Sequence, residues 1–256
     1  MRFIRFQDKS GEIHNGWVLE ERVGLVQGSP LGEFSRQEAD RDLEGLKLLP
    51  PVVPSKIICV GRNYVAHAKE QNAEVPEVPL IFMKPASSLI GSGGTILLPP
   101  QSQQVEHEAE LVIIIGRRGR WIQAEEAHEH ILGYTVGNDV TARDLQWRDD
   151  QWTRAKGFDT FCPLGPWLET EFDPADAMVS CHVNGELRQM ASTRDMVFST
   201  RQLIAFISSV MTLEPGDAIF TGTPAGVGPL LAGDVVEASV DGLGNLRNLV
   251  SNEPSM

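Results

Sequence analysis

Two acidic residues stand inside a run of the chain that otherwise reads as an apolar strand. Glu108 and Glu110 are two positions apart within residues 105–111, so an extended strand turns both side chains to the same face. Asp139 follows a second apolar run, residues 131–137, and can complete a set of three carboxylates. Such oxygen ligands suit Mg²⁺, Mn²⁺ or Ca²⁺. The spacing therefore predicts a divalent-metal site, with solvated acids on an edge strand as the alternative.

A cation and an amide follow Asp139 closely. Thr141 and Asp144 have the spacing of a helix N-cap and its capping-box partner. Arg143 and Gln146, three positions apart, would then share one helix face. Together they could grip the carboxylate of a substrate held at the metal site, the arginine by a two-point fork. A solvated helix start with a local ion pair explains the same residues equally well.

A second pair and a lone lysine could supply acid–base chemistry. His67 and Glu70 are three apart on a predicted helical turn, where a hydrogen bond would raise the basicity of the imidazole. Such a dyad can act as a general base toward water or an acidic C–H bond. Lys156 stands between apolar and aromatic neighbours and is suited to stabilising an oxyanion or enolate. Solvated side chains on a helix surface and a snorkelling lysine are the alternatives.

The elements that must position these residues are mostly strands. Prolines at 50, 51 and 54 divide the chain near residue 50. Residues 1–50 predict a small antiparallel β domain with strands at 17–19 and 23–26, followed by a polar, acidic stretch at 32–44. Residues 51–256 predict a mixed β domain with few helices, in which strands do not alternate regularly with helices. The predicted helices cover residues 64–72, 124–130, 141–151 and 200–210.

Composition excludes several classes of protein. The chain has 35 acidic and 22 basic residues, for a formal net charge of -13, which opposes nucleic-acid binding because phosphate contacts need clustered cations. No apolar signal core and no membrane-length apolar run occurs, so we expect a cytoplasmic protein without a membrane partner. Cys59, Cys162 and Cys181 form no C-x-x-C pair. We interpret them as buried small hydrophobes in a reducing compartment.

Residues 221–228 are rich in glycine but lack the Gly-Lys-Ser/Thr ending of a phosphate loop. We interpret them as a tight turn whose backbone N–H groups or Thr223 contact substrate. His128 and His130 cannot share a helix face, which opposes a metal site there. No Gly-x-Ser-x-Gly motif occurs, so a serine hydrolase is disfavoured.

Several short motifs stand in a characteristic order between about residues 55 and 245, and this ordered set strongly resembles the fumarylacetoacetate hydrolase family. The motifs are Val60-Gly61-Arg62-Asn63-Tyr64 with His67 and Glu70, Phe82-Met83-Lys84-Pro85, Glu108-Ala109-Glu110-Leu111, Asn138-Asp139 through Gln146, Lys156-Gly157-Phe158-Asp159 with Pro163-Leu164-Gly165-Pro166, Val183-Asn184-Gly185-Glu186, and Thr221-Gly222-Thr223-Pro224. The chain looks most like the branch of acylpyruvate hydrolases, oxaloacetate decarboxylases or tautomerases, and the isomerases of 2-hydroxyhepta-2,4-diene-1,7-dioate in aromatic catabolism.

The resemblance implies a rolled, mixed β fold around a central site, and a homodimer. It implies Mg²⁺ or Mn²⁺ on Glu108, Glu110 and Asp139. It assigns His67 and Glu70 to a segment that closes over substrate and activates water, Lys156 to an oxyanion, and Arg143 and Gln146 to substrate positioning, with Thr223 in the pocket wall. Gly157 stands where serine is frequent in the family, which leaves the surroundings of Lys156 open. No family ligand position corresponds to Glu106.

The implied chemistry is that of a small 2-oxo acid whose enolate is stabilised by a divalent cation. Hydroxide attack on a distal carbonyl would give C–C hydrolysis of an acylpyruvate. Loss of CO₂ would give decarboxylation of an oxaloacetate-like acid, and movement of a proton would give isomerisation or tautomerisation. The sequence does not choose among these outcomes. A non-catalytic small-acid-binding protein is the alternative from another class.

Overall fold

Strands dominate the computed structural model, which describes residues 1–254. The strands are β1 (Arg2–Gln7), β2 (Ile13–Leu19), β3 (Arg22–Gly28), β4 (Phe34–Asp42), β5 (Lys47–Leu49), β6 (Ile57–Gly61), β7 (Leu80–Lys84), β8 (Leu89–Ile90), β9 (Thr95–Leu98), β10 (Val105–His107), β11 (Ala109–Ile115), β12 (Ile131–Asn138), β13 (Thr141–Ala142), β14 (Cys162–Glu169), β15 (Met178–Val183), β16 (Glu186–Ser192), β17 (Ala218–Phe220), β18 (Gly228–Pro229), β19 (Val235–Val240) and β20 (Gly244–Asn252). The α-helices are α1 (Val65–Glu70), α2 (Arg143–Arg148), α3 (Thr153–Lys156) and α4 (Thr200–Val210). This composition confirms the predicted mixed β fold with few helices.

The strands of the described chain form three sheets. The largest has twelve strands, ten of them in the order β4-β3-β2-β1-β14-β12-β11-β17-β6-β7, with β5 paired to β1 and β8 paired to β14. A second sheet has the order β16-β15-β19-β20-β9, and a short third sheet has the order β13-β10-β18. Most pairs are antiparallel, whereas the pairs β17–β6, β14–β8 and β20–β9 are parallel. The short sheet matters most for function because β10 carries Glu106 and leads directly into Glu108.

The N-terminal strands confirm the predicted antiparallel sheet and extend it. β2 and β3 pair as expected, with Val18 opposite Val23, and β4 lies inside the stretch that the sequence indicated only as polar and acidic. β1 also pairs with β14 of the main sheet, where Arg2 stands opposite Glu169. The N-terminal strands are therefore hydrogen-bonded into the same sheet as the rest of the chain. The division near residue 50 stays a prediction.

The core lies on both faces of β11, because this strand is buried along its whole length. Leu111, Ile113 and Ile115 point into a cluster shared with α4 and the five-stranded sheet. Val112 and Ile114 point the other way, into a cluster shared with β6, β14 and β17. Burial on both faces explains why the run reads as continuously apolar rather than alternating. Glu108 therefore directly precedes a central strand that is buried on both faces.

The helices agree only in part with those predicted. α4 has the predicted bounds, and Ser199 and Gln202 form a capping box at its start. α1 is shorter than residues 64–72, and residues 124–130 contain only a 3₁₀ turn at Ala127–His130.

The helix predicted over residues 141–151 is shorter than expected, and its predicted cap is wrong. Residues 141–142 are a strand, and α2 begins at Arg143. The Thr141 hydroxyl donates to the Asp139 carbonyl at 2.8 Å. Asp144 instead accepts hydrogen bonds from Ser102 and from the Gln103 N–H. The local spacing was outweighed by pairing of residues 141–142 with β10.

The three cysteines are buried and unpaired, as predicted. Within residues 1–254, no helix has the length and apolar character needed to cross a membrane.

Candidate active and metal site

The three predicted carboxylates come together where two paired strands meet. Glu108 lies between β10 and β11, Glu110 is the second residue of β11, and Asp139 directly follows β12. The antiparallel pairing of β11 with β12 places Glu110 opposite Gly137, and the Asp139 N–H donates to the Glu108 carbonyl at 2.8 Å. One oxygen of each carboxylate lies within 4.8 Å of the others. All three side chains are buried, so the solvated alternative does not apply.

Two buried lysines contact these carboxylates. The Lys156 Nζ lies 2.8 Å from Glu108 Oε2 and 2.7 Å from Asp139 Oδ2. The Lys84 Nζ lies 2.6 Å from Asp139 Oδ1 and donates to the Val140 carbonyl at 3.0 Å. Lys84 belongs to a motif noted in the sequence, but no role was predicted for it. The signal in the sequence that could have indicated its role is a lysine at the end of an apolar strand.

Arg143 joins the carboxylate cluster to α2. Its Nε donates to Glu106 Oε2 at 2.7 Å, and its Nη2 donates to Glu108 Oε1. Its Nη1 donates to Gln146 Oε1, so Arg143 and Gln146 do share one helix face. Their role toward substrate stays a prediction. Glu106, which matched no ligand position, holds the guanidinium that contacts a candidate metal ligand.

The cations determine the charge state of Glu108. Burial alone would raise the pKa of Glu108, but Lys156 and Arg143 outweigh burial and hold that pKa well below its usual range. Burial would likewise lower the pKa of Lys156, whereas Asp139 and Glu108 raise it above its usual value. Glu108 and Lys156 are therefore both ionised at neutral pH.

Glu110 is in the opposite situation. Burial raises the pKa of Glu110 well above its usual value, and the charges of Asp139 and Glu108 add to the effect. Within residues 1–254 its carboxylate accepts one hydrogen bond, from the Gly222 N–H at 2.6 Å, and forms no ion pair. A buried carboxylate beside two others needs a cation to remain ionised. The donor set therefore fits a hard divalent cation.

The predicted dyad is present beside this cluster. His67 is buried, and its Nδ1 lies 3.2 Å from Glu70 Oε2. The other carboxylate oxygen of Glu70 accepts the Gly226 N–H at 2.9 Å. Glu70 thus orients the imidazole while it is itself tied to the glycine-rich segment at residues 221–228.

The glycine-rich segment packs against β11 rather than forming an isolated turn. The Thr223 hydroxyl donates to the Ala109 carbonyl at 2.9 Å, and Gln189 Nε2 donates to the Thr223 oxygen at 2.7 Å. Gln189 Oε1 also accepts the Ala109 N–H at 3.1 Å. Gln189 was not predicted, because its contacts join segments 80 residues apart in the chain. It holds Thr223 beside the two glutamates of the motif.

A narrow cavity of about 100 Å³ opens onto the carboxylates. Seven of the nine predicted site residues line it, and the other two, Glu70 and Lys156, contact lining residues. The lining residues that the sequence did not predict include Arg62, Gln71, Phe82, Trp147 and Trp152. The cavity therefore has a charged inner end and aromatic walls.

Comparison with known proteins finds relatives along nearly the whole chain. Residues 56–251 match the family model "Fumarylacetoacetate (FAA) hydrolase C-terminal", and residues 1–51 match "Rv2993c-like, N-terminal". The chain is 48% identical over 250 residues to Protein Rv2993c of Mycobacterium tuberculosis, covering 96% of this chain and 94% of that protein. It is 49% identical to the mitochondrial oxaloacetate tautomerase fahd2 of Xenopus laevis, covering 86% of this chain and 76% of the relative.

Two solved structures have the same fold. One is 5-carboxymethyl-2-hydroxymuconate delta-isomerase from Mycobacterium smegmatis, with 42% identity, a TM-score of 0.91, and coverage of 99% of this chain and 100% of the other. The other is maleylpyruvate hydrolase from Sphingobium sp. SYK-6 in complex with manganese (II) ion and pyruvate, with 31% identity, a TM-score of 0.81, and the same coverage. The relatives named by activity are enzymes.

Proposed function

Because the chain belongs to the fumarylacetoacetate hydrolase family, we propose that it is a divalent-metal-dependent enzyme that enolises small 2-oxo carboxylic acids. The reaction best supported is keto–enol tautomerisation of an oxaloacetate-like acid. Relatives 48–49% identical to the chain are named oxaloacetate tautomerases. The structural observation that carries the proposal is the buried triad Glu108, Glu110 and Asp139, whose oxygens lie within 4.8 Å of one another.

The same three carboxylates would hold the cation, with Mg²⁺ or Mn²⁺ as the candidates and Ca²⁺ as a further possibility from the oxygen donors. When bound, such a cation supplies Lewis acidity that stabilises the negative charge of an enolate. Glu110 is the residue that most needs it, since its carboxylate has a backbone N–H but no cationic side chain as partner. The relative in complex with manganese (II) ion supports the choice of metal.

Arg143, Gln146 and Lys156 are the residues that would bind and orient the substrate. Arg143 and Gln146 lie on one face of α2 at the cavity wall, where N–H donors can hold the acid group of the substrate. Lys156 is held between Glu108 and Asp139, so its ammonium group is fixed before substrate arrives. A fixed cation stabilises developing oxyanion charge more than a mobile one because no reorganisation is needed. Thr223 would complete the wall.

His67 is the residue that would move the proton. With its Nδ1–H donated to Glu70, the other ring nitrogen is the basic one. This nitrogen can remove a proton from the carbon beside the ketone and return a proton to the oxygen, which converts the keto form into the enol.

Hydrolysis of a C–C bond is the second candidate. The same His67–Glu70 dyad can take a proton from water instead of carbon, and the structurally similar maleylpyruvate hydrolase supports this reaction class. A substrate with a carbonyl beyond the enolisable carbon would be required. Decarboxylation uses the same enolate and would appear as release of CO₂.

An assay of metal-stripped protein with and without Mg²⁺ or Mn²⁺ tests the proposal. We would follow tautomerisation of oxaloacetate, cleavage of acetylpyruvate, release of CO₂ from oxaloacetate and isomerisation of 2-hydroxyhepta-2,4-diene-1,7-dioate in parallel. We expect metal-dependent turnover, and Asp139→Asn should lose both Mn²⁺ binding and activity. The matched control Asp150→Asn, at an exposed carboxylate outside the cavity, should keep both. Full activity without metal, or no turnover of any of these acids, would contradict the proposal.

A further inference from the structure

Arg62 is a cationic residue in the wall of the cavity that has no carboxylate partner. Arg143, Lys156 and Lys84 each already form an ion pair with an acidic group of the site. Arg62 lines the same cavity but, among residues 1–254, forms no ion pair and donates no side-chain hydrogen bond. A guanidinium in such a position is available for an anion that comes with the ligand.

The backbone of Arg62 is held in an unfavourable conformation. Its φ is +58°, in the left-handed region that non-glycine residues rarely adopt. The next residue holds it there: Asn63 Nδ2 donates to the Phe198 and Thr221 carbonyls at 3.0 and 2.7 Å, and its Oδ1 accepts the Phe198 N–H at 2.8 Å. Strained residues that neighbours hold in place cluster at ligand clamps.

Gly61, which precedes Arg62, allows an aromatic side chain to pack against the backbone at the cavity wall. A Cβ at Gly61 would meet the Trp152 ring at 3.0 and 3.2 Å, so the indole packs directly on that backbone. Trp152 in turn makes an edge contact with Phe82, with ring centroids 5.2 Å apart, and the Lys156 Nζ lies 4.9 Å from the Phe82 ring centroid. Phe82 and Trp152, which line the cavity, therefore form an aromatic wall between Lys156 and the backbone that precedes Arg62.

We propose that Arg62 binds a second carboxylate at the far end of the substrate, and that the enzyme therefore selects dicarboxylic 2-oxo acids over those with an uncharged far end. This inference rests on the proposed function, in which the 2-oxo acid end lies at the carboxylate cluster. Two-point hydrogen bonding between guanidinium and carboxylate gives the attraction. A neutral far end would leave Arg62 partly desolvated without a partner, which adds discrimination against it.

Oxaloacetate and its 4-methyl ester are a matched pair of probes, because they differ at the far end mainly by one charge. We expect the wild-type protein to prefer oxaloacetate, measured as the ratio of the two kcat/KM values for enolisation. Arg62→Gln should lower this ratio about 10- to 100-fold, the size expected for a lost charged hydrogen bond, mainly through KM. Arg62→Lys should restore part of the ratio. The control Arg148→Gln removes a nearby exposed cation outside the cavity and should leave the ratio as in the wild type.

A binding measurement separates failure of this inference from failure of the proposed function. Trp147 and Trp152 line the cavity, so their fluorescence reports binding of either probe to the Mn²⁺-loaded protein. If the wild type turns over neither probe, the proposed function fails, and the affinities for the two probes still test Arg62. Equal preference for the two probes in the wild type and in Arg62→Gln, in turnover or in binding, overturns the assignment of Arg62.

Discussion

Glu106 accepts a hydrogen bond from Arg143 at 2.7 Å although the two residues are 37 positions apart in the chain. The same guanidinium contacts Glu108 and Gln146. Glu106 therefore acts on the site through Arg143, as a positioning residue, which explains an acidic side chain that is buried but does not belong to the triad.

Glu106→Gln should weaken the ion pair with Arg143 without creating a cavity. Glutamine has nearly the same volume but no charge, so the Arg143 guanidinium would be attracted more strongly to Glu108. Removal of such outer partners lowers metal affinity or activity by about 10- to 100-fold. We expect a weaker Kd for Mn²⁺ and a lower kcat/KM, with Glu125→Gln at an exposed position as the control. Wild-type affinity in Glu106→Gln would show that Glu106 serves folding only.

His67→Asn should separate proton transfer from metal binding. The imidazole contacts Glu70 and is not one of the three clustered carboxylates, so the Kd for Mn²⁺ should stay near the wild-type value. Loss of a general base lowers turnover by about 10²- to 10⁴-fold. Calorimetry and the tautomerase or hydrolase assay measure the two quantities on the same preparation. Undiminished turnover would remove His67 from the mechanism.

Metal affinity should rise with pH because of Glu110. Burial, with the charges of Asp139 and Glu108, raises the pKa of Glu110, so the carboxyl is protonated below that raised pKa and must lose its proton to bind metal. Each pH unit below the pKa then weakens binding by up to about tenfold. Titration calorimetry with Mn²⁺ in two buffers of different ionisation enthalpy would measure the proton released. A flat pH profile with no proton release would contradict this.

The three thiols should be unreactive in the folded protein. Burial raises the pKa of Cys162 and of Cys181 to about 12, and raises that of Cys59 as well, so almost no thiolate is present at about pH 8. Ellman's reagent should therefore modify all three only after unfolding in guanidinium chloride. A Ser251→Cys variant, exposed at the end of β20, provides a positive control. Rapid modification of a native cysteine at this pH would show local opening of the core.

The sequence predicted which three carboxylates cluster, but not all of the ion pairs that surround them. Glu108 and Glu110 were recognisable because two acidic residues two positions apart in an apolar run are a local signal, and Asp139 because it follows an apolar run. The ion pairs of Lys84 and Glu106 were not recognisable, since each depends on a partner 37 or more positions away. Thr141 was misread because pairing with β10 overrides its capping pattern. No role was predicted for Arg62, because its backbone conformation is set by contacts of Asn63 with distant segments.

β1 pairs with one edge of β14, so its backbone satisfies hydrogen-bonding groups of β14 that would otherwise be free. Phe3 stands opposite Leu168 in that pairing, and both side chains belong to one core cluster. Trimming the chain to its family-matched part, residues 56–251, would uncover both the edge of β14 and an apolar patch. Exposed edges of this kind recruit strands from other molecules. We therefore expect the shortened protein to aggregate before its catalytic activity can be measured.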